Sequence, residues 1–231
     1  MTSTRDVILA RIRGALGREL RDSPPEVRLE EGSPGPGILR KYRRSGGRTQ
    51  EELLDLLHDR IADYKATVVR CPGPKLSGVL GERLAARGAS RVVAPPDLPD
   101  TWMGAASPPG LDLLRDNAPG ELSNNEISSA HAVITGCALA VAETGTLVLD
   151  GGAAQGRRAL TLLPDYHLCV VFASQVVETV PEAMEAFEPF GKDRTAPLTL
   201  ISGPSATSDI ELIRVEGVHG PRTLDVILVE D

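Results

Sequence analysis

Apolar residues follow two rhythms along this chain, a helical spacing and short unbroken runs, and their alternation predicts the order of elements. Val7, Ile8, Ile12, Leu16 and Leu20 share one stripe over residues 4–20, with Ser3 or Thr4 as N-cap, which predicts an amphipathic helix. Residues 23–37, SPPEVRLEEGSPGPG, lose hydrogen-bond donors at their prolines and offer little apolar surface, so they predict a linker. The helix ahead of it is then an arm that packs either on its own domain or on a second subunit. Thr49 and Glu52 form a capping box before Leu53, Leu54, Leu57 and Ile61, predicting a second helix. Residues 66–71 (ATVVRC) form a β-branched run, residues 75–86 are helical in pattern with Gly88 as stop, and SRVVA at 90–94 repeats the strand signal.

Beyond a Pro-rich stretch around 95–109, LDLLR (111–115) predicts a strand, and Ser123 with Glu126 caps a short helix to about Ala130. AVITG (132–136), TLVLD (146–150), LCVVFA (168–173), LTLIS (198–202) and TLDVILVE (223–230) are further strands. A helix over 181–187 starts with proline in its favoured first position, and His167 is read as the start of a buried strand. Parallel strands need a helix to return the chain, so this β-α alternation predicts an α/β fold with a mainly parallel sheet. Residues 49–231 are assigned to that domain and 1–48 to the N-terminal helix and linker.

Composition narrows the function classes. A chain of 231 residues, 41% hydrophobic, builds one good core. A net charge of -7 argues against nucleic acid and anionic membranes as partners. Aromatic content of 3% leaves few surfaces on which bases could stack. No run approaches the ~18 apolar residues of a membrane span, and the opening MTSTRDVILARIRGAL mixes charge into its apolar positions, unlike a signal peptide. Cys71, Cys137 and Cys169 are widely spaced and odd in number, which fits a reducing, cytoplasmic setting. Without a CxxC run the chain is expected to carry no iron–sulfur cluster. His58, His131, His167 and His219 show neither HxH nor HExxH spacing, so no metal site is expected.

Four polar segments interrupt the apolar runs of the C-terminal half. Glu143-Thr144-Gly145-Thr146 places a carboxylate, two hydroxyls and a glycine before a strand. Such a turn can present a base or nucleophile, or its threonines can simply cap backbone groups. In the loop 202–211, Gly203, Ser205 and Ser208 could bind anionic oxygens through N–H and hydroxyl donors, while Asp209 and Glu211 demand a nearby cation. Arg157 and Arg158, closing the small-residue loop 150–158, could supply it by a bidentate fork, or could be solvated surface arginines. His219, next to Gly220, could carry a proton near neutral pH or be a structural turn residue. Ser205 lacks a GxSxG elbow, and no cysteine has a reactive context in sequence.

Taken in order, AETGTLVLDGG, RRALTLLPDYHLCVV, SGPSATSDIE and GVHGP resemble the LUD domain of the lactate utilization protein C (LutC) family, densely over the last half of the chain and loosely ahead of it. The resemblance implies a three-layer α/β/α fold like that of ribose-phosphate isomerases, glucosamine-phosphate deaminases and CoA transferases. It implies a part in oxidation of L-lactate to pyruvate, beside two companion proteins that carry the iron–sulfur clusters. Glu143 to Thr146 match the family's ETGT turn; Gly203, Pro204, Ser205, Asp209 and Glu211 match its serine-rich loop, and His219 and Gly220 match its GVHGP turn. Ser208 stands where alanine is common.

Glu143 and His219 are thereby the candidate catalytic residues. Thr144, Gly145, Thr146, Arg158, Gly203, Ser205, Ser208, Asp209, Glu211 and Gly220 are candidates to hold a small carboxylate or phosphate. Likening Glu143 to the nucleophilic glutamate of CoA transferases is an analogy of fold only. The leading expectation is a cluster-free subunit or accessory factor of an iron–sulfur lactate-oxidising system. The alternatives are a free-standing sugar-phosphate isomerase-like or CoA-transferase-like enzyme, or a small-molecule-binding regulatory module.

Overall fold

The computed structural model describes residues 4–15, 41–104, 107–117, 121–187, 197–208, 214–216 and 219–230. The chain divides into two units, 1–42 and 43–231. In the first, α1 spans Thr4–Ala15; the rest of the expected helix, to residue 20, and the linker at 23–37 lie outside the described residues.

The second unit opens with α2, Gln50–Asp63, whose capping box forms as the sequence predicts: the Glu52 N–H donates to Thr49 Oγ1, and the Thr49 N–H donates to Glu52 Oε2. Its buried face is Leu53, Leu54, Leu57 and Ile61. The helix stops where Lys65 takes φ 65°, so that the Lys65 N–H reaches Ala62 O at 2.8 Å and the Ala66 N–H reaches Ile61 O at 3.4 Å. These two bonds satisfy carbonyls that a helix end leaves open.

Strand β1 (Thr67–Pro72), helix α3 (Leu76–Ala86), β2 (Arg91–Ala94), β3 (Asp112–Arg115), the short α4 (Asn124–Ser128) and β4 (Ala132–Thr135) follow in the predicted order. Strands β5 (Leu139–Val141) and β6 (Thr146–Leu149) precede β7 (Tyr166–Phe172), β8 (Val176–Val177) and α5 (Val180–Phe187). The chain closes with β9 (Thr199–Ile201), β10 (Ala206–Ser208), β11 (Arg214–Glu216) and β12 (Thr223–Glu230).

Six strands in the order β1-β12-β7-β4-β2-β3 form a sheet whose pairings are all parallel. Its central strands read as continuous apolar runs because both faces are covered. On one face α3 packs Leu76, Leu80 and Leu84 against Val92, Ile134, Leu168, Val170, Ile227 and Val229. On the other, Val226, Leu228, Cys169 and Val171 meet α2 together with Ala140, Ala142, Leu147 and Leu149. Each fully buried Leu, Ile or Val stabilises the fold by roughly 1.5–3 kcal/mol.

The layered parallel α/β architecture expected from sequence is therefore present, with one addition. The layer that holds α2 also contains a second sheet, β8-β5-β6-β9, in which β6 is antiparallel to both β5 and β9. This second sheet carries the ETGT turn and leads into the serine-rich loop, which lies beside the starts of the central strands β7 and β12.

Candidate anion-binding cleft

Two close approaches of backbone fix the site's frame. At the β5–β6 turn Gly145 has φ 59°, and a Cβ there would lie 2.9 Å from the Arg60 carbonyl carbon near the end of α2. At the start of the serine-rich loop Gly203 has φ 83°, and its Cβ would lie 2.5 Å from Tyr64 Cβ. Both glycines therefore let a loop lie directly on the α2 C-terminus. Thr146 then joins the two loops: its hydroxyl is 2.8 Å from Ser202 Oγ and 2.7 Å from Thr144 Oγ1.

The serine-rich loop is stitched in turn to the GVHGP turn. The Ser205 N–H donates to Pro221 O at 2.8 Å, and the His219 N–H donates to Ser205 Oγ at 3.1 Å. Between these loops and the bottom of β7 and β12 lies a chamber of about 250 Å³, walled by Arg158, Thr161, His167, Ser205 and His219 among others. A second chamber of about 470 Å³ shares the Arg158 and Thr161 wall and extends past Leu149, Gln155, Pro197 and Thr199.

Arg158 at this junction differs from its neighbour. Arg157 donates through Nε and Nη2 to the Asp116 carboxylate at 2.7 and 3.1 Å, and that hydrogen bond raises its pKa. The Arg158 guanidinium donates to Thr161 Oγ1 at 2.9 Å, and among the described residues no carboxylate pairs with it. Burial lowers its pKa, because a desolvated charge without a partner is disfavoured.

His167 forms part of the chamber's floor. It is 1% exposed, and its Nε2 lies 2.8 Å from Thr135 Oγ1. Cys137 and Cys169 are both buried, and the hydrogen bond between them, then burial, push the Cys137 thiol well up.

Of the residues the sequence singled out, the structure brings Arg158, Gly203, Ser205, His219 and Gly220 to the smaller chamber. Gly145 and Thr146 support it from behind. Glu143 and Thr144 line neither chamber. Glu143 is ion-paired with Arg43, and Arg48 Nη1 lies 4.0 Å away. Glu143 and His219, the two candidate catalytic residues, thus do not share a cavity. Asp209 and Glu211 lie outside the described residues, as does the side chain of Ser208, whose backbone ends β10. Thr161 and His167 are the site residues the sequence reading missed. The spacing of Thr161 three positions after Arg158, and a histidine within an apolar strand, are the signals that could have found them.

Among the described residues no helix is long and apolar enough to cross a membrane. The sequence pattern of the LUD domain matches residues 48–229. A protein named lactate utilization protein C from Deinococcus radiodurans is 46% identical over 194 residues, covering 84% of this chain and 87% of its own. One of the same name from Geobacillus kaustophilus is 30% identical, covering 98% of this chain and 96% of its own. The crystal structure of a DUF162 family protein from Deinococcus radiodurans superposes with a TM-score of 0.65 at 40% identity, covering 79% of this chain and 99% of that one. With a family match over most of its length and relatives at this level of identity, the chain belongs to the LUD domain family.

Proposed function

We propose that this chain is a LutC-like, cluster-free component of a lactate-utilisation system. In this reading it is a cytoplasmic protein that works beside iron–sulfur companion proteins and seats a small carboxylate or phosphate anion at Arg158. The names of its relatives support the system. The observation that carries the seat is the Arg158 guanidinium, paired with no carboxylate among the described residues and held by Thr161 at the junction of two chambers.

A guanidinium without a carboxylate presents its donor fork to an incoming anion. The Ser205 hydroxyl and the His219 side chain reach the same chamber. Glu143, neutralised by Arg43 away from the chambers, holds the ETGT turn in place.

The test is reconstitution of L-lactate oxidation from the purified companion proteins, with this chain, with Arg158→Gln, and without it. Full activity is expected only with the unaltered chain, and a drop of tenfold or more, roughly the loss of one charge-assisted hydrogen bond, with Arg158→Gln. Companions that oxidise lactate at full rate alone would overturn the assignment.

A further inference from the structure

Resting on Arg158 as the anion seat, the second chamber narrows the class of ligand. Its volume of about 470 Å³ falls within the ~300–1,000 Å³ range of pockets that enclose ligands far larger than a three-carbon hydroxy acid. Arg158 and Thr161 stand in the walls of both chambers, so a carboxylate seated on the guanidinium has its remaining atoms directed along one of them.

The charged and amide groups of the second chamber are already engaged with one another. Asp116 accepts from Arg157 and from the Leu122 N–H at 2.8 Å. Asp150 Oδ1 accepts from Gly152 N–H and Gln155 Nε2 at 2.9 and 2.8 Å, while Gln155 Oε1 accepts from the Asp150 N–H. What remains for a ligand to touch is mainly Pro96, Leu149, Pro197 and Thr199. A second charged group set against Pro96, Leu149 and Pro197 would lose its hydration without gaining a hydrogen bond from them, which disfavours it on the ligand.

We infer that the ligand is a monoanionic carboxylate with an extended, uncharged hydrocarbon body, its head on Arg158 and its body between Leu149 and Pro197. Lactate itself would leave this chamber unfilled.

Thermal-shift titration of the full chain with propanoate, hexanoate, octanoate and the dicarboxylate suberate tests this. Affinity should rise about fourfold per added methylene until the chamber is filled, the gain expected for burying one CH₂. Suberate should bind more weakly than octanoate. Pro197→Gln and Thr199→Gln, two wall variants used so that misfolding of one does not remove the test, place a polar amide on the hydrocarbon path without adding charge near Arg158 and should flatten the length dependence. Arg158→Gln should abolish binding of every acid. Equal affinity at all lengths, or a length dependence that survives in both folded wall variants, would overturn the chamber assignment while leaving the anion seat intact. Acids that do not bind, or bind Arg158→Gln equally well, would overturn both.

Discussion

Gly203 and Gly145 illustrate how single positions set the cleft's shape. At Gly203 the backbone is left-handed, at φ 83°, and a methyl group would collide with Tyr64 Cβ and approach Tyr64 O to 3.1 Å. The loop cannot move away without breaking the Thr146–Ser202 contact or the Ser205–Pro221 bond. Gly203→Ala is therefore expected to destabilise the protein by about 2 kcal/mol, combining left-handed strain with overpacking, and to lower the urea midpoint accordingly. An unchanged midpoint would mean that the loop does not rest on the helix end. At this scale the sequence revealed which residues were small and polar, but not what they faced. Glu143 reads as chemistry in a one-dimensional motif because its partner Arg43 is remote in sequence. His167 reads as core because apolar residues flank it, and only the folded loops at 202–206 and 219–221 place a chamber against it.

Elements were legible in proportion to the length of their pattern. Strands β1, β2, β7 and β12 and the two capping boxes follow from local runs and local hydrogen bonds, each determined by neighbouring residues. Strands β5 and β8, of three and two residues, are too short to show a period, and β5 is made of Leu-Ala-Val in a stretch already rich in small apolar residues. Missing them concealed the second sheet, and with it the direction of β6, which is antiparallel to its neighbours rather than part of the parallel sheet. The cleft depends on that sheet, because β6 and β9 hold the ETGT turn and the serine-rich loop side by side. Thr146→Val, which keeps the shape and the β preference but deletes the hydroxyl, should cost about 1 kcal/mol through the lost contact to Ser202. Hydrogen exchange at Ser205 should rise in this variant while exchange along β12 stays protected; equal protection at both would show that the hydroxyl bridge is dispensable.

At the scale of the whole molecule, electrostatics ties the residues just ahead of the capping box to the larger unit. Residues 43–48 precede the helix signal at Thr49, yet they belong with the larger unit. Glu178, with a side chain only 4% exposed, accepts hydrogen bonds from the Gly47 and Arg48 N–H groups at 2.8 and 3.0 Å and from the Arg43 guanidinium at 2.8 Å. The Arg48 N–H, then Arg43 and Gly47, hold its carboxyl at about 2, below the ordinary 4.5. Because the folded pKa is depressed, this contribution to stability is fully present above 4.5 and is lost as the pH falls from there toward 2. A chain beginning at Arg43 is expected to unfold at nearly the temperature of the full chain, since every core cluster among the described residues lies within it. A chain beginning at Thr49 keeps the same cores but strands the Glu178 carboxylate without its donors, and should melt well below the other at pH 7. As the pH is lowered from 4.5 toward 2 the gap between them should close, because protonation removes in the longer chain what truncation removed in the shorter. Equal melting at pH 7, or a gap independent of pH, would show that the domain does begin at the capping box.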